Sequence, residues 1–157
     1  MDATRKLLVG ITVVGLAVDA VIHLHSARPY DVVGTTITEG WLFRIEAVAA
    51  IVVLVALLVR PSRLTAGAAA VVAGGGALAV VMSYYVHIGA IGPLPDVYEQ
   101  TTFPEKALAL VAQAIAAATA VTLVVIGFPA DRTARAPRAT WSARWRRSST
   151  AAFADVD

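Results

Sequence analysis

Four apolar runs dominate this chain, and each is long enough to cross a bilayer, for which roughly 20 residues at about 1.5 Å rise are needed. They extend over Leu7–Leu24, Trp41–Val59, Ala66–Ile88 and Lys106–Phe128. In hydrocarbon a spanning segment must satisfy its own backbone hydrogen bonds, so these valine-rich runs read as helices rather than strands. Composition agrees. Across 157 residues the chain is 58% hydrophobic and 15% charged, where a water-soluble domain carries about 25% charged residues. The expected fold is therefore an all-α integral membrane protein, a four-helix bundle over 1–128, followed by a basic cytoplasmic tail over 129–157 without regular structure. Cysteine is absent, which removes thiolate metal sites, CxxC redox chemistry and covalent haem attachment.

Basic residues orient such a bundle. Arg5 and Lys6 precede the first run, Arg60 and Arg63 fill the turn between the second and third, and Arg132, Arg135, Arg138, Arg144, Arg146 and Arg147 follow the fourth. Ten of the 13 Lys and Arg residues thus fall on one side, leaving Arg28, Arg44 and Lys106 for the other. Both termini are expected in the cytoplasm, with the two longer loops outside, in the cytoplasmic membrane of a bacterium. A cleaved signal peptide is the competing reading of the first run, but apolar character resumes beyond Asp19 through Val21 and Ile22, which favours a retained span. Small residues at four-residue spacing, Ala66, Ala70 and Gly74 in the third run and Ala112, Ala116 and Ala120 in the fourth, suggest a close pairing of these two helices.

The two helix–loop–helix halves share a spacing. His23 and His87 are each followed by proline six residues later, Pro29 and Pro93, and then by Asp31-Val32 and Asp96-Val97. A parallel 2+2 repeat would produce this pattern.

The ionisable residues are confined to one end of the spans. Asp19 and His23 are four apart and share a helical face. Glu46 lies at a similar depth in the second run, His87 at the outer end of the third, and Arg44 in the same zone. Charge at membrane depth costs about 2.5–3.5 kcal/mol even on insertion scales, so these groups need partners. Asp19, His23, Glu46 and His87 could supply nitrogen and oxygen ligands to a divalent metal such as zinc, copper, manganese or iron. His23 and His87 alone could bind b-type haem between helices. The structural alternative pairs Asp19 with Arg44 and leaves the histidines at the interface. Tyr30, Trp41, Tyr84, Tyr85 and Tyr98 are expected in the outer aromatic belt.

No phosphate-binding loop, nucleophile elbow or zinc-protease motif occurs, so no enzymatic chemistry is indicated. Trp141, Trp145 and the six arginines of the tail suit anionic lipids of the inner leaflet better than nucleic acid. In span number and length the chain resembles small four-helix bacterial membrane proteins, DoxX-like ones among them, which are associated with respiratory electron transfer. That resemblance implies a membrane bundle and transfers no site residue. The function expected is a small polytopic membrane protein with an outward-facing histidine–carboxylate pocket, binding a metal ion or cofactor as an accessory or sensor-like subunit. The alternatives are a purely structural subunit of a larger membrane complex and a small transporter acting as a homo-oligomer.

Overall fold

The computed structural model describes residues 1–34, 36–87 and 89–128. Four helices, α1 (Ala3–Ala27), α2 (Glu39–Val59), α3 (Arg63–Tyr85) and α4 (Pro104–Ile126), are joined by a 3-10 turn at Pro29–Val32, a tight turn, and a longer loop. All four are long and apolar enough to span a membrane. Among the described residues there is no strand, only an isolated bridge between Ile91 and Leu94. The basic tail and its expected contact with anionic lipid lie outside the described residues.

Polar caps set the helix starts, and they lie outside the apolar runs. The Asp2 carboxylate accepts from the Arg5 amide, Thr38 accepts from Trp41, and Ser62 forms a reciprocal capping box with Thr65. Pro104 opens α4 in the first turn, where its missing N–H costs nothing. All four helices therefore begin two to four residues earlier than hydropathy predicts. The third also ends sooner, at Tyr85, because Val86 is extended and the chain turns at Gly89 with φ +74°. His87 consequently lies beyond α3 instead of closing it.

Helix α1 packs extensively on α2 and α4, and α3 on α4, while α2 and α3 share a smaller contact and α1 barely meets α3. The bundle is a ring of neighbours with α1 and α3 on its diagonal. Apolar side chains gain little by leaving lipid for one another, so close backbone approach drives this association. At Gly15 the approach of α1 to α4 is close: a Cβ there would stand 2.8 Å from the Ala116 Cβ and 2.9 Å from the Ala112 carbonyl oxygen. The Ala112, Ala116, Ala120 row is indeed buried, but it also serves α1. On α3 the buried row is Ala66, Ala69, Ala73 and Gly76, because alternating steps of three and four follow the 3.6-residue turn and repeated steps of four drift off it. Ala70 and Gly74 lie half-buried at its edge. A Thr12–Thr119 hydroxyl contact of 2.8 Å adds a polar tie between α1 and α4.

At the end carrying the termini, arginines close α4. The Arg5 Nε donates to the Gly127 carbonyl at 2.7 Å, its Nη2 to Ile126 at 3.3 Å, and the Arg63 Nη2 to Val125 at 3.4 Å. These carbonyls have no partner inside the helix, and positive charge suits the negative end of its dipole. Gly127 turns the chain away at φ +64°, where a side chain would strike the Arg63 guanidinium.

Candidate functional site

Two turns from the opposite end, all four helices converge on a polar cluster. Asp19 and Gln113 are both 0% exposed. The Asp19 Oδ1 accepts from the Gln113 Nε2 at 2.8 Å and faces the His23 Nδ1 at 2.9 Å. The same Nδ1 lies 3.0 Å from the Asp19 backbone oxygen. With two oxygens before it, Nδ1 is the protonated nitrogen and donates to both. Glu46 approaches from α2 and the cluster rests against Gly76 of α3, where a Cβ would lie 2.7 Å from the Glu46 Oε1 and overlap the Gln113 amide. The bare backbone of Gly76 thus leaves room for two polar side chains that a larger residue would displace.

Three buried oxygens in this cluster have no hydrogen-bond partner among the described residues: Asp19 Oδ2, Glu46 Oε1 and Gln113 Oε1. All are acceptors. The local chemistry is an excess of electron-rich oxygen with too few donors.

Above the cluster, His23 is covered edge-on by Phe43 at 5.4 Å, and Phe43 by Tyr30 at 5.0 Å. The Tyr30 hydroxyl donates to the Glu99 carboxylate at 3.0 Å. Glu99 is itself fixed by its own amide on the Ser83 carbonyl at 2.8 Å and by Lys106 on its backbone oxygen at 2.7 Å. A backbone bond from Ile37 to Pro93 joins the two loops directly. Burial and the Glu99 carboxylate push the Tyr30 phenol up to about 12, so it remains a donor at any physiological pH.

Arg44 does not pair with Asp19. Its guanidinium grips both Asp31 oxygens, at 2.5 and 2.7 Å, and stands over the Trp41 ring. That guanidinium holds the Asp31 carboxyl below its ordinary range. Arg44 and Glu46 are two residues apart, about 200° around the helix, so only one can face the core. Glu46 does, and Arg44 turns to the loop.

The cluster joins three of the four residues singled out from sequence, Asp19, His23 and Glu46. His87 lies in the loop between α3 and α4, 3.0 Å from the Asp96 carboxylate, stacked on Tyr98 at 4.7 Å, with its side chain 65% exposed. Its spacing match with His23 therefore does not carry over to setting. Among the described residues, no three His, Asp or Glu side chains form a group able to hold a metal ion. His25 is exposed in the last turn of α1. Gln113 is the member that a search for ionisable groups passes over, although it is the one strongly polar residue of α4 between Lys106 and Thr119. Comparison with known protein families, characterised proteins and solved structures finds no match to this chain.

Proposed function

We propose that this chain is a small multi-pass protein of the cytoplasmic membrane that binds an ion in the outer half of its bundle, as an accessory or sensor-like subunit. The observation that carries this reading is the set of three buried, partnerless acceptor oxygens on Asp19, Glu46 and Gln113. A buried polar atom without a partner costs about 1–3 kcal/mol, and apolar residues at these positions would avoid that cost. Intramembrane ionisable groups facing a bundle interior are functional by default. The working set is Asp19, His23, Glu46 and Gln113, with His87 assigned to the outer loop. An axial haem pair is disfavoured, since His87 lies beyond α3 in the loop, bound through its Nε2 to Asp96, while His23 lies within the bundle.

Purified protein in detergent tests the reading through its unfolding temperature in the presence of single cations. A ligand that binds only the folded state at a hundred times its Kd stabilises by about 2.7 kcal/mol. At least one of protons, alkali ions or divalent ions should raise the unfolding temperature, and Asp19→Asn should abolish the rise. Indifference to every cation would overturn the ion site and leave the structural-subunit reading.

The orientation has its own test. Arg5, Lys6, Arg60 and Arg63 gather at the end opposite the cluster, a basic bias that supports a cytoplasmic position for that end. Single cysteines at Ser26 and Thr101 should react with an impermeant maleimide in intact cells, and one at Ser62 should not. Labelling at Ser62 alone would invert the topology.

A further inference from the structure

The geometry points to a monovalent hard cation, a sodium ion or a hydronium ion, as the ligand of the Asp19–Glu46–Gln113 cluster. This rests on the ion-site reading above and narrows it.

Ligand type decides first. The groups without partners are two carboxylate oxygens and one carboxamide oxygen, all three buried. Oxygen donors select hard ions, whereas zinc and copper favour nitrogen and sulfur. The nitrogen closest to the cluster, His23 Nδ1, is already occupied by the Asp19 carboxylate and backbone oxygens at 2.9 and 3.0 Å.

Ligand number decides next. Calcium takes six to eight oxygens, and magnesium demands a near-octahedral shell. Three free oxygens fall well short of a calcium shell; they would half-fill a magnesium shell as they would a sodium one, and charge separates those two. The three oxygens also match the three O–H donors of hydronium.

Charge gives the same answer. Asp19 and Glu46 bring two carboxyl groups, and His23, 2.9 Å from Asp19, is the basic side chain beside them. Arg44, the nearest basic residue in sequence, is spent on Asp31. From α3 the cluster meets Gly76 and from α4 Gln113, neither of which carries charge. Asp19 is paired with His23 and no ion pair is formed by Glu46 among the described residues, so one positive charge completes the site. A proton on the Glu46 Oε1 would supply a single O–H to the two acceptors that remain. A ligand able to meet all three at once satisfies the cluster.

Place matters too. Gln113 reaches the cluster across the bundle from α4 to α1, so its carboxamide oxygen distinguishes a ligand held between helices from simple protonation of a carboxylate.

The test is thermal unfolding of the full-length protein in detergent, with choline chloride replacing sodium chloride at constant ionic strength. Sodium should raise the unfolding temperature in a saturable way, and Gln113→Leu should weaken its apparent affinity about tenfold or more. If sodium is inert, acidification should stabilise instead, through the groups facing the ligand (Asp19, His23 and Glu46), and Gln113→Leu should remove that effect. Either pattern supports the inference and names the source of the charge. Should Gln113→Leu fail to fold, Gln113→Glu serves: a third carboxylate should transfer the preference from sodium to divalent ions. Stabilisation of the wild type by zinc or manganese alone would overturn the monovalent ligand and keep the ion site. Acid stabilisation that survives in Gln113→Leu would reduce the ligand to a carboxyl proton and overturn the inference. No effect of any cation would remove both readings.

Discussion

Replacing His23 by leucine is expected to be among the most damaging single changes in the bundle, costing about 3–5 kcal/mol. The Asp19 carboxylate is 0% exposed and would keep only the Gln113 amide as a partner. Removing one member of a buried pair leaves the other charge without compensation, and that penalty exceeds the worth of the pair itself. The same logic predicts recovery. A triple variant with leucine at Asp19, His23 and Gln113 should regain much of the stability lost by His23→Leu, because apolar residues of similar volume remove the burden of burying charge. Unfolding temperature in detergent, compared across the single and triple variants, gives the result. A His23→Leu protein within about 1 kcal/mol of wild type would show that the Asp19 charge is compensated from elsewhere.

A comparable effect is expected at Gly15, for a steric reason. A methyl group there would press on the Ala116 Cβ at 2.8 Å and on the Ala112 carbonyl at 2.9 Å, and neither can yield without moving α4. Overpacking of this kind costs about 1–3 kcal/mol, so Gly15→Ala should lower the unfolding temperature measurably and Gly15→Leu further still. Separation of α1 from α4 would also part the Thr12 and Thr119 hydroxyls, now 2.8 Å apart, one helical turn away. In contrast, Gly75→Ala should be almost silent, since nothing lies within 4 Å of a Cβ at that position. Equal behaviour of the Gly15 and Gly75 variants would contradict the helix contact described here.

The four spans were legible because run length is a strong signal when hydrocarbon is the solvent and only helices can satisfy the backbone. The ends were less so. Hydropathy reports where apolar side chains stop, whereas the helices begin at Asp2, Ser62 and Pro104, which are polar or conformational signals outside the apolar runs. The cluster was half legible. The shared helical face of Asp19 and His23 and the shared depth of Asp19 and Glu46 placed these three residues in one zone, and the structure brings them together. His87 was drawn in by the assumption that its helix continues to it, and an extended Val86 puts it in the loop instead. Gln113 was invisible to a search for charge, although a carboxamide within an apolar helix carries the same need for a partner. The direction of Arg44 could have been read from its two-residue separation from Glu46, which forbids both from facing inward.

Gln113 also makes closure of the bundle depend on one helix. It belongs to α4, the fourth of the described helices in chain order, whereas Asp19 belongs to α1. Until α4 arrives, α1 and α3 stand on a diagonal with little contact, and one wall of the bundle is open to lipid beside a buried carboxylate. Helix α4 slots between its two neighbours, delivers the carboxamide to Asp19, and brings the Gly127 carbonyl to the waiting Arg5. Docking of this one helix thus closes the four-helix bundle at both ends, and a bundle without it leaves a polar seam unsealed.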